Sequence, residues 1–390
     1  MERVLSAVSV VCVGFLLSFG PAAQEQDDAA GSDAQTTSAS IDHLMGRTGR
    51  AEQAQRLNGL VLDGKAYAWE QYAAWGRELF HTGQVKNPPV GPKPSPQISQ
   101  YSGYTCSRCH NDQREDPVLT KQDPESRFLW INASPERNLR MTQGATLWGV
   151  VNRVSFYNGH FSIYHNLCVP REAHPEPENL DCGPTEGRCA DGCRPMNTRR
   201  IEDAIQICAR YCCVGQGYLT DWELNALLTY LWDLELHLSD LDLATEIAPL
   251  VKKVLQDASS HSPVEVAKYR SLLTGQYLTK SGETYRGMPE FKDGQWLQPT
   301  IGPYRQGKSF VGDPVRGGKL YELTCVNCHG ADKIGGLGHK RLVRYLPSFY
   351  EAVAEGTYRG DRPYMPEFTL ERLSHQQIAD ILSYLQSLSQ

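Results

Sequence analysis

Two stretches of the chain carry the same arrangement of reactive side chains, Cys106-Ser107-Arg108-Cys109-His110 and Cys325-Val326-Asn327-Cys328-His329. Two thiols separated by two residues can form thioether bonds to the vinyl groups of a haem, and the histidine that follows at once can bind its iron. A redox disulfide or half of a zinc site shares the cysteine spacing. A zinc site needs further paired ligands at matching spacing, however, and the histidine placed identically in both copies points to two covalently attached haem c groups.

Groups this close together along the chain need flanking elements to build a pocket around them. Apolar residues at helical spacing run from about 67 to 81, and a proline-rich loop, 87–97, then leads to the first motif. Helical spacing returns at 201–213 and 221–236. Between them, Cys168, Cys182, Cys189 and Cys193 lie among Pro, Gly and charged residues with no hydrophobic period, which predicts a loop insertion, 166–198, held by disulfides.

The two halves share three markers in the same order. Gly76-Arg77-Glu78-Leu79-Phe80 parallels Gly317-Gly318-Lys319-Leu320-Tyr321, each precedes a C-x-x-C-H, and each half closes on a helix with a capping-box start, Thr220 with Glu223 and Ser374 with Gln377. Within those closing helices Leu228-Thr229-Tyr230-Leu231 matches Leu382-Ser383-Tyr384-Leu385. The expected fold is therefore mainly α. Two cytochrome c-like haem domains, 49–240 and 311–390, are joined by a connector, 241–310, helical near 250–255 and irregular afterwards.

Glu2 and Arg3 lead into an apolar run from Val4 to about Phe19, followed by Gly20-Pro21-Ala22-Ala23, the pattern of a secretory signal peptide over 1–23. The polar, Ser/Thr/Asp-rich stretch 24–48 reads as a flexible leader. The expected location is the periplasm, with no stable membrane span in the mature protein. A net charge of −6 over 390 residues argues against a nucleic-acid partner.

From Gly317 through the second motif to Tyr364-Met365-Pro366-Glu367-Phe368 and the final helix, the chain resembles class I cytochromes c. The resemblance implies an all-helical fold round the haem with Met365 as sixth ligand, His339 and Met288 being the alternatives. A thioether is a weak, neutral donor, so His329 with Met365 gives a raised potential suited to passing electrons on.

The first half has no Met-Pro pair between Cys106 and its closing helix. Met141, Met196, His160, His165 and the cysteines are candidates for its sixth ligand. Seven cysteines lie outside the haem motifs and the signal peptide, so one used as a ligand leaves enough for three disulfides of unreadable pairing.

Residues 76 to 235 resemble the catalytic haem domain of thiosulfate dehydrogenases. The likeness rests on Cys208, Gly215 and Asp221, and on Leu147-Trp148-Gly149-Val150-Val151-Asn152-Arg153. It implies Cys208 as axial ligand to the first haem, with Cys212 and Cys213 as competitors and the cysteine-rich insertion as a departure. It also implies a small sulfur anion as substrate, with Arg153, Arg199, Arg200 and Arg210 as candidates to bind it. Three functions follow as expectations: an electron carrier between two haems and a redox partner protein, an oxidoreductase acting on a sulfur anion, and the electron-accepting subunit of a larger complex.

Overall fold

The helix Trp69–Thr82 forms because Tyr72, Trp75, Gly76, Leu79 and Phe80 recur on one buried face, and it stops at Gly83, which takes the left-handed conformation and returns its N–H to the Leu79 carbonyl. Its partner, Asp221–Asp233, begins where the Glu223 carboxylate accepts from both the N–H and the hydroxyl of Thr220, at 3.0 and 2.7 Å. These two helices cross at Gly76, where a Cβ would overlap the carbonyl oxygen of Ala226. Phe80 and Tyr230 meet beside the crossing with ring centroids 5.6 Å apart at 52°.

The same unit recurs at the other end of the chain. Asp313 caps Pro314–Thr324 by accepting from the N–H groups of Val315 and Arg316, and Ser374 and Gln377 form the capping box of His375–Ser387. This pair crosses at Gly317 against the Asp380 carbonyl, with Tyr321 and Tyr384 5.6 Å apart at 47°. Gly76 and Gly317, Phe80 and Tyr321, Ala226 and Asp380, and Tyr230 and Tyr384 thus hold corresponding places.

The structure is a computed structural model that describes residues 39–91, 105–156, 168–171, 182, 184–185, 188–213, 218–279, 290–292, 295–297, 311–329, 346–359, 362–365 and 367–388. They all belong to one compact unit, Ala39–Gln390. The fold is mainly helical, and among the described residues the strands pair two by two, antiparallel. Among the described residues no helix is long and apolar enough to cross a membrane. The expected signal peptide, the leader as far as residue 38, and four of the candidate ligands, His160, His165, Met288 and His339, lie outside the described residues.

Three regions differ from the reading of the sequence. Residues 39–48, assigned to the leader, are folded: Ser40 caps the short helix Ile41–Leu44, whose Ile41 and Leu44 are fully buried against Leu236, Leu238 and the connector. The connector forms two helices, Ile247–Gln256 and Pro263–Thr274, the second capped by Ser262 with Pro263 in its first turn. Val251, Val254, Leu255, Val266 and Leu273 from these helices join Ile41 and Leu44 in a small core of their own.

The third difference concerns the core of the C-terminal haem unit, which both halves of the chain build. Phe128 and Ile131 from the helix Pro124–Asn132, with Leu139 and Met141, pack in one cluster with Leu320, Tyr321, Cys325, Phe349 and Phe368. Each fully buried side chain of this kind stabilises the fold by about 1.5–3 kcal/mol, so residues upstream contribute substantially to holding the C-terminal unit together. The halves are also tied by ions. Arg372 and Glu115 pair at 2.6 Å with neither side chain exposed, and fully buried Arg127 donates to Asp116 at 3.2 Å and to the Glu371 carbonyl.

Candidate haem sites

The first motif is one turn of helix, Cys106–Cys109, with the N–H of His110 returned to the Cys106 carbonyl at 2.9 Å. The imidazole Nδ1 lies 2.7 Å from the Ala145 carbonyl oxygen. In the neutral ring that contact makes Nδ1–H the donor, so that Nε2 is the nitrogen that would bind a metal, the arrangement that orients most metal-binding histidines. Gly144 brings the carbonyl there, since a Cβ at this position would run into the imidazole ring, and its N–H is bonded to the Cys109 carbonyl at 2.8 Å. The sequence gives this glycine no distinguishing signal.

Beside His110 opens a cleft of about 970 Å³, its mouth included. Cys106 and His110 lie at its edge, Leu147, Val150, Phe156, Ile205, Leu227 and Leu231 supply apolar walls, and Cys208 and Arg153 also line it. A haem is a flat, largely apolar ring that needs thiols at one edge, an imidazole with a free lone pair and a dry slot. These residues fit that group.

Cys208 reaches the cleft through an irregular turn. The helix Ile201–Ile207 widens at Cys208–Cys212 into π geometry, in which the Cys213 N–H bonds back five residues to the Cys208 carbonyl at 2.9 Å. Such one-turn widenings are frequent at functional sites. The Cys208 thiol is in hydrogen-bond contact with the thiols of Cys212 and Cys213 and with His110. Hydrogen bonds from Cys212 and Cys213 hold its pKa well below the usual thiol range against the opposing effect of burial. Cys212 is pushed well above that range by its bond to Cys208, and Cys213 by its bond to Cys106.

The remaining four cysteines of the first half pair as Cys168–Cys189 and Cys182–Cys193, which ties the hairpins of the insertion together. Among the described residues two disulfides thus form where the cysteine count allows three, and Cys208, Cys212 and Cys213 stay as thiols.

The other candidate residues fall in different places. Met141 is fully buried in the C-terminal core cluster with Cys325, and Met196 packs on Val169, Ile207 and Cys212; neither lines the cleft. Arg153 does line it and donates to the Thr146 carbonyl at 2.7 Å. Arg199 is exposed, Arg200 pairs with Glu202 and Asp203 at 3.9 and 3.8 Å on a separate groove, and Arg210 belongs to the π turn.

In the second motif Cys325 is buried at the end of Pro314–Thr324, and His329 returns its N–H to the Cys325 carbonyl at 2.7 Å. Met365 ends the strand Arg362–Met365, pairs across the hairpin with Thr357, and packs on the apolar cluster that contains Cys325, Tyr321 and Phe349. A buried thiol and a thioether therefore pack on one apolar cluster, with Cys328 and His329 following in the next turn, side chains of the kinds a haem needs.

The two motifs touch. Arg108 donates from Nη1 to the carbonyl and side-chain oxygens of Asn327 at 2.8 and 2.7 Å, and Asn327 donates from Nδ2 to the Arg108 carbonyl at 2.9 Å. Sequence reasoning did not single out this pair, because its meaning depends on a contact across 219 residues.

No curated protein and no solved structure matches the chain. Residues 312–385 match the family described as cytochrome C oxidase, cbb3-type, subunit III. The stretch that folds round Cys325, Cys328 and His329 is thus a c-type cytochrome domain, which binds haem covalently and serves electron transfer to a redox partner.

Proposed function

We propose that the chain is an exported, periplasmic dihaem c-type cytochrome that passes electrons between two covalently bound haems and a partner protein. In this reading Cys106 and Cys109 attach the first haem and His110 binds its iron, while Cys325, Cys328 and His329 do the same for the second, with Met365 as sixth ligand. The observation that carries it is the direct contact of the two C-x-x-C-H motifs within one compact unit. A haem count on the purified holoprotein tests it. Two haems per chain, and loss of one in each of the variants Cys106→Ala and Cys325→Ala, are expected; one haem in the native protein overturns it.

A second reading, an oxidoreductase acting on a small sulfur anion at the first haem, is favoured by Cys208 lying in contact with His110 in a cleft that Arg153 also lines. An anionic sulfur ligand favours ferric iron and a neutral thioether ferrous iron, so Cys208 at the first site and Met365 at the second set electrons running from first to second. Arg153 supplies the positive charge an anionic substrate needs beside the first site. Low-temperature EPR of the oxidised protein beside Cys208→Ala tests the ligand. A compressed g-spread present in the native protein and absent in the variant supports thiolate ligation. If thiosulfate then reduces neither haem over a broad pH range, the enzyme reading fails and the carrier reading stands.

A further inference from the structure

Arg108 and Asn327 occupy the same position, the third, of their respective C-x-x-C-H motifs, and each accepts a hydrogen bond from the other. Asn327 is buried, and Arg140 donates to its side-chain oxygen as well. Two guanidiniums therefore share one neutral amide, and among the described residues neither is paired with a carboxylate. Two like charges gathered on one neutral amide repel one another, so a feature of this kind at the junction of two cofactor loops calls for an electrostatic explanation.

The strap 139–146 makes the junction rigid. On one side the Met141 N–H bonds to the Leu323 carbonyl at 3.1 Å, just before the second motif. On the other the Gly144 N–H bonds to the Cys109 carbonyl at 2.8 Å, and the Ala145 carbonyl meets His110 at 2.7 Å. Between them the Arg140 backbone exchanges hydrogen bonds with the Asn111 side chain at 2.8 and 3.2 Å. Both attachment loops are thus bonded to one short segment and to each other.

From this geometry we infer that Arg108 is a positioning residue shared by the two haems, fixing one attachment loop against the other and holding one positive charge beside both, so that their potentials are set together. The inference rests on the reading that both motifs carry haem. A cation near an iron stabilises its electron-rich ferrous state and so raises its potential. Placed at the junction, a single cation does this for both sites, which a merely structural hydrogen bond does not.

The experiment is a spectroelectrochemical titration of the full-length holoprotein, native and as Arg108→Gln, Arg108→Lys and Asn327→Ala, with haem content measured on each preparation. Arg108→Gln is expected to lower both midpoints together. Arg108→Lys keeps the charge while giving up the forked hydrogen bond and is expected to leave both midpoints closer to native than Arg108→Gln does. Asn327→Ala keeps the guanidinium and is likewise expected to retain most of the native potentials. Unchanged midpoints in Arg108→Gln, a shift at one haem alone, or a shift in Arg108→Lys as large as in Arg108→Gln overturns the inference. Should Arg108→Gln fail to load haem, Arg108→Lys and Asn327→Ala decide: both midpoints staying mostly native in each supports the inference, and a large drop at either haem with the charge still present overturns it. One haem per chain in the native protein would instead refute the dihaem reading, which the haem count reports separately.

Discussion

Arg372 and Glu115 form an ion pair across 257 residues of sequence, with Nη1 2.6 Å from Oε1 and both side chains closed off from water. Glu115 also accepts from the Thr146 N–H at 2.9 Å, and Arg372 donates to the Thr142 carbonyl and hydroxyl at 2.9 and 3.0 Å. The pair joins the segment just after the first motif to the approach to the final helix. Removing Arg372 takes from the buried Glu115 carboxylate its hydrogen-bonded cation and leaves Arg127 as its remaining guanidinium neighbour. Arg372→Leu is therefore expected to destabilise the protein by about 3–5 kcal/mol, and adding Glu115→Leu to recover much of that loss. Thermal unfolding of the two single variants and the double variant, as a cycle, measures both quantities.

Acid should act on this pair and on Asp42 in opposite directions. Burial would raise Glu115, but the guanidiniums of Arg372 and Arg127 bring it from 4.5 down to about 2. A depressed carboxyl adds stability above its unfolded pKa and loses it as pH falls from about 4.5 through about 2. Asp42 is raised by burial to about 6, with Arg47 opposing. It penalises the folded state above that pH, and the penalty is relieved as pH falls from about 6 to about 4. Asp42→Asn should flatten the upper limb of the stability profile and leave the lower limb in place, which denaturant melts from pH 7 to pH 2.5 can read.

Gly144 offers a way to disturb one site and spare the other. A methyl group there meets the His110 ring, so the imidazole must turn or the strap must lift from the Cys109 carbonyl. On the dihaem reading, the outcome expected for Gly144→Ala is an altered EPR signal from the first haem with that of the second retained. An unchanged spectrum would mean that the strap yields without moving the histidine.

How far these features could be read from the chain depends on how local their causes are. Attachment motifs, capping boxes and the glycine-aromatic markers at Gly76 and Gly317 are written in a few adjacent residues, and the structure places the crossings and the ring pairs at those markers. The helix Pro263–Thr274 carried a legible start in Ser262-Pro263-x-Glu265, but only Val266 and Leu273 are buried from it, too few to make a visible period. Met141 looked like a candidate ligand for the first haem because it follows the first motif. Its place in the C-terminal core comes from a backbone bond to Leu323 and apolar contacts that no local pattern encodes. The π turn at Cys208 was hidden for a similar reason, since one extra residue per turn leaves no compositional mark.

The two helix crossings supply the last test, because each relies on the absence of a single side chain. At Gly76 a Cβ would overlap the Ala226 carbonyl, and at Gly317 the Asp380 carbonyl; both obstacles are backbone and cannot swing aside as a side chain would. The helices must separate to admit the methyl group, which opens the contacts of Phe80 with Tyr230 or of Tyr321 with Tyr384. Gly76→Ala and Gly317→Ala are each expected to cost about 1–3 kcal/mol, the usual range for overpacking. Gly59 ends the helix Gly49–Gly59 with no atom within 4 Å of where its Cβ would stand. There the same substitution should be neutral or stabilise by up to about 1 kcal/mol, by reducing the freedom of the unfolded chain. Melting the three variants side by side separates a steric requirement from a general response to losing glycine: equal losses at all three positions would contradict the crossings as the cause.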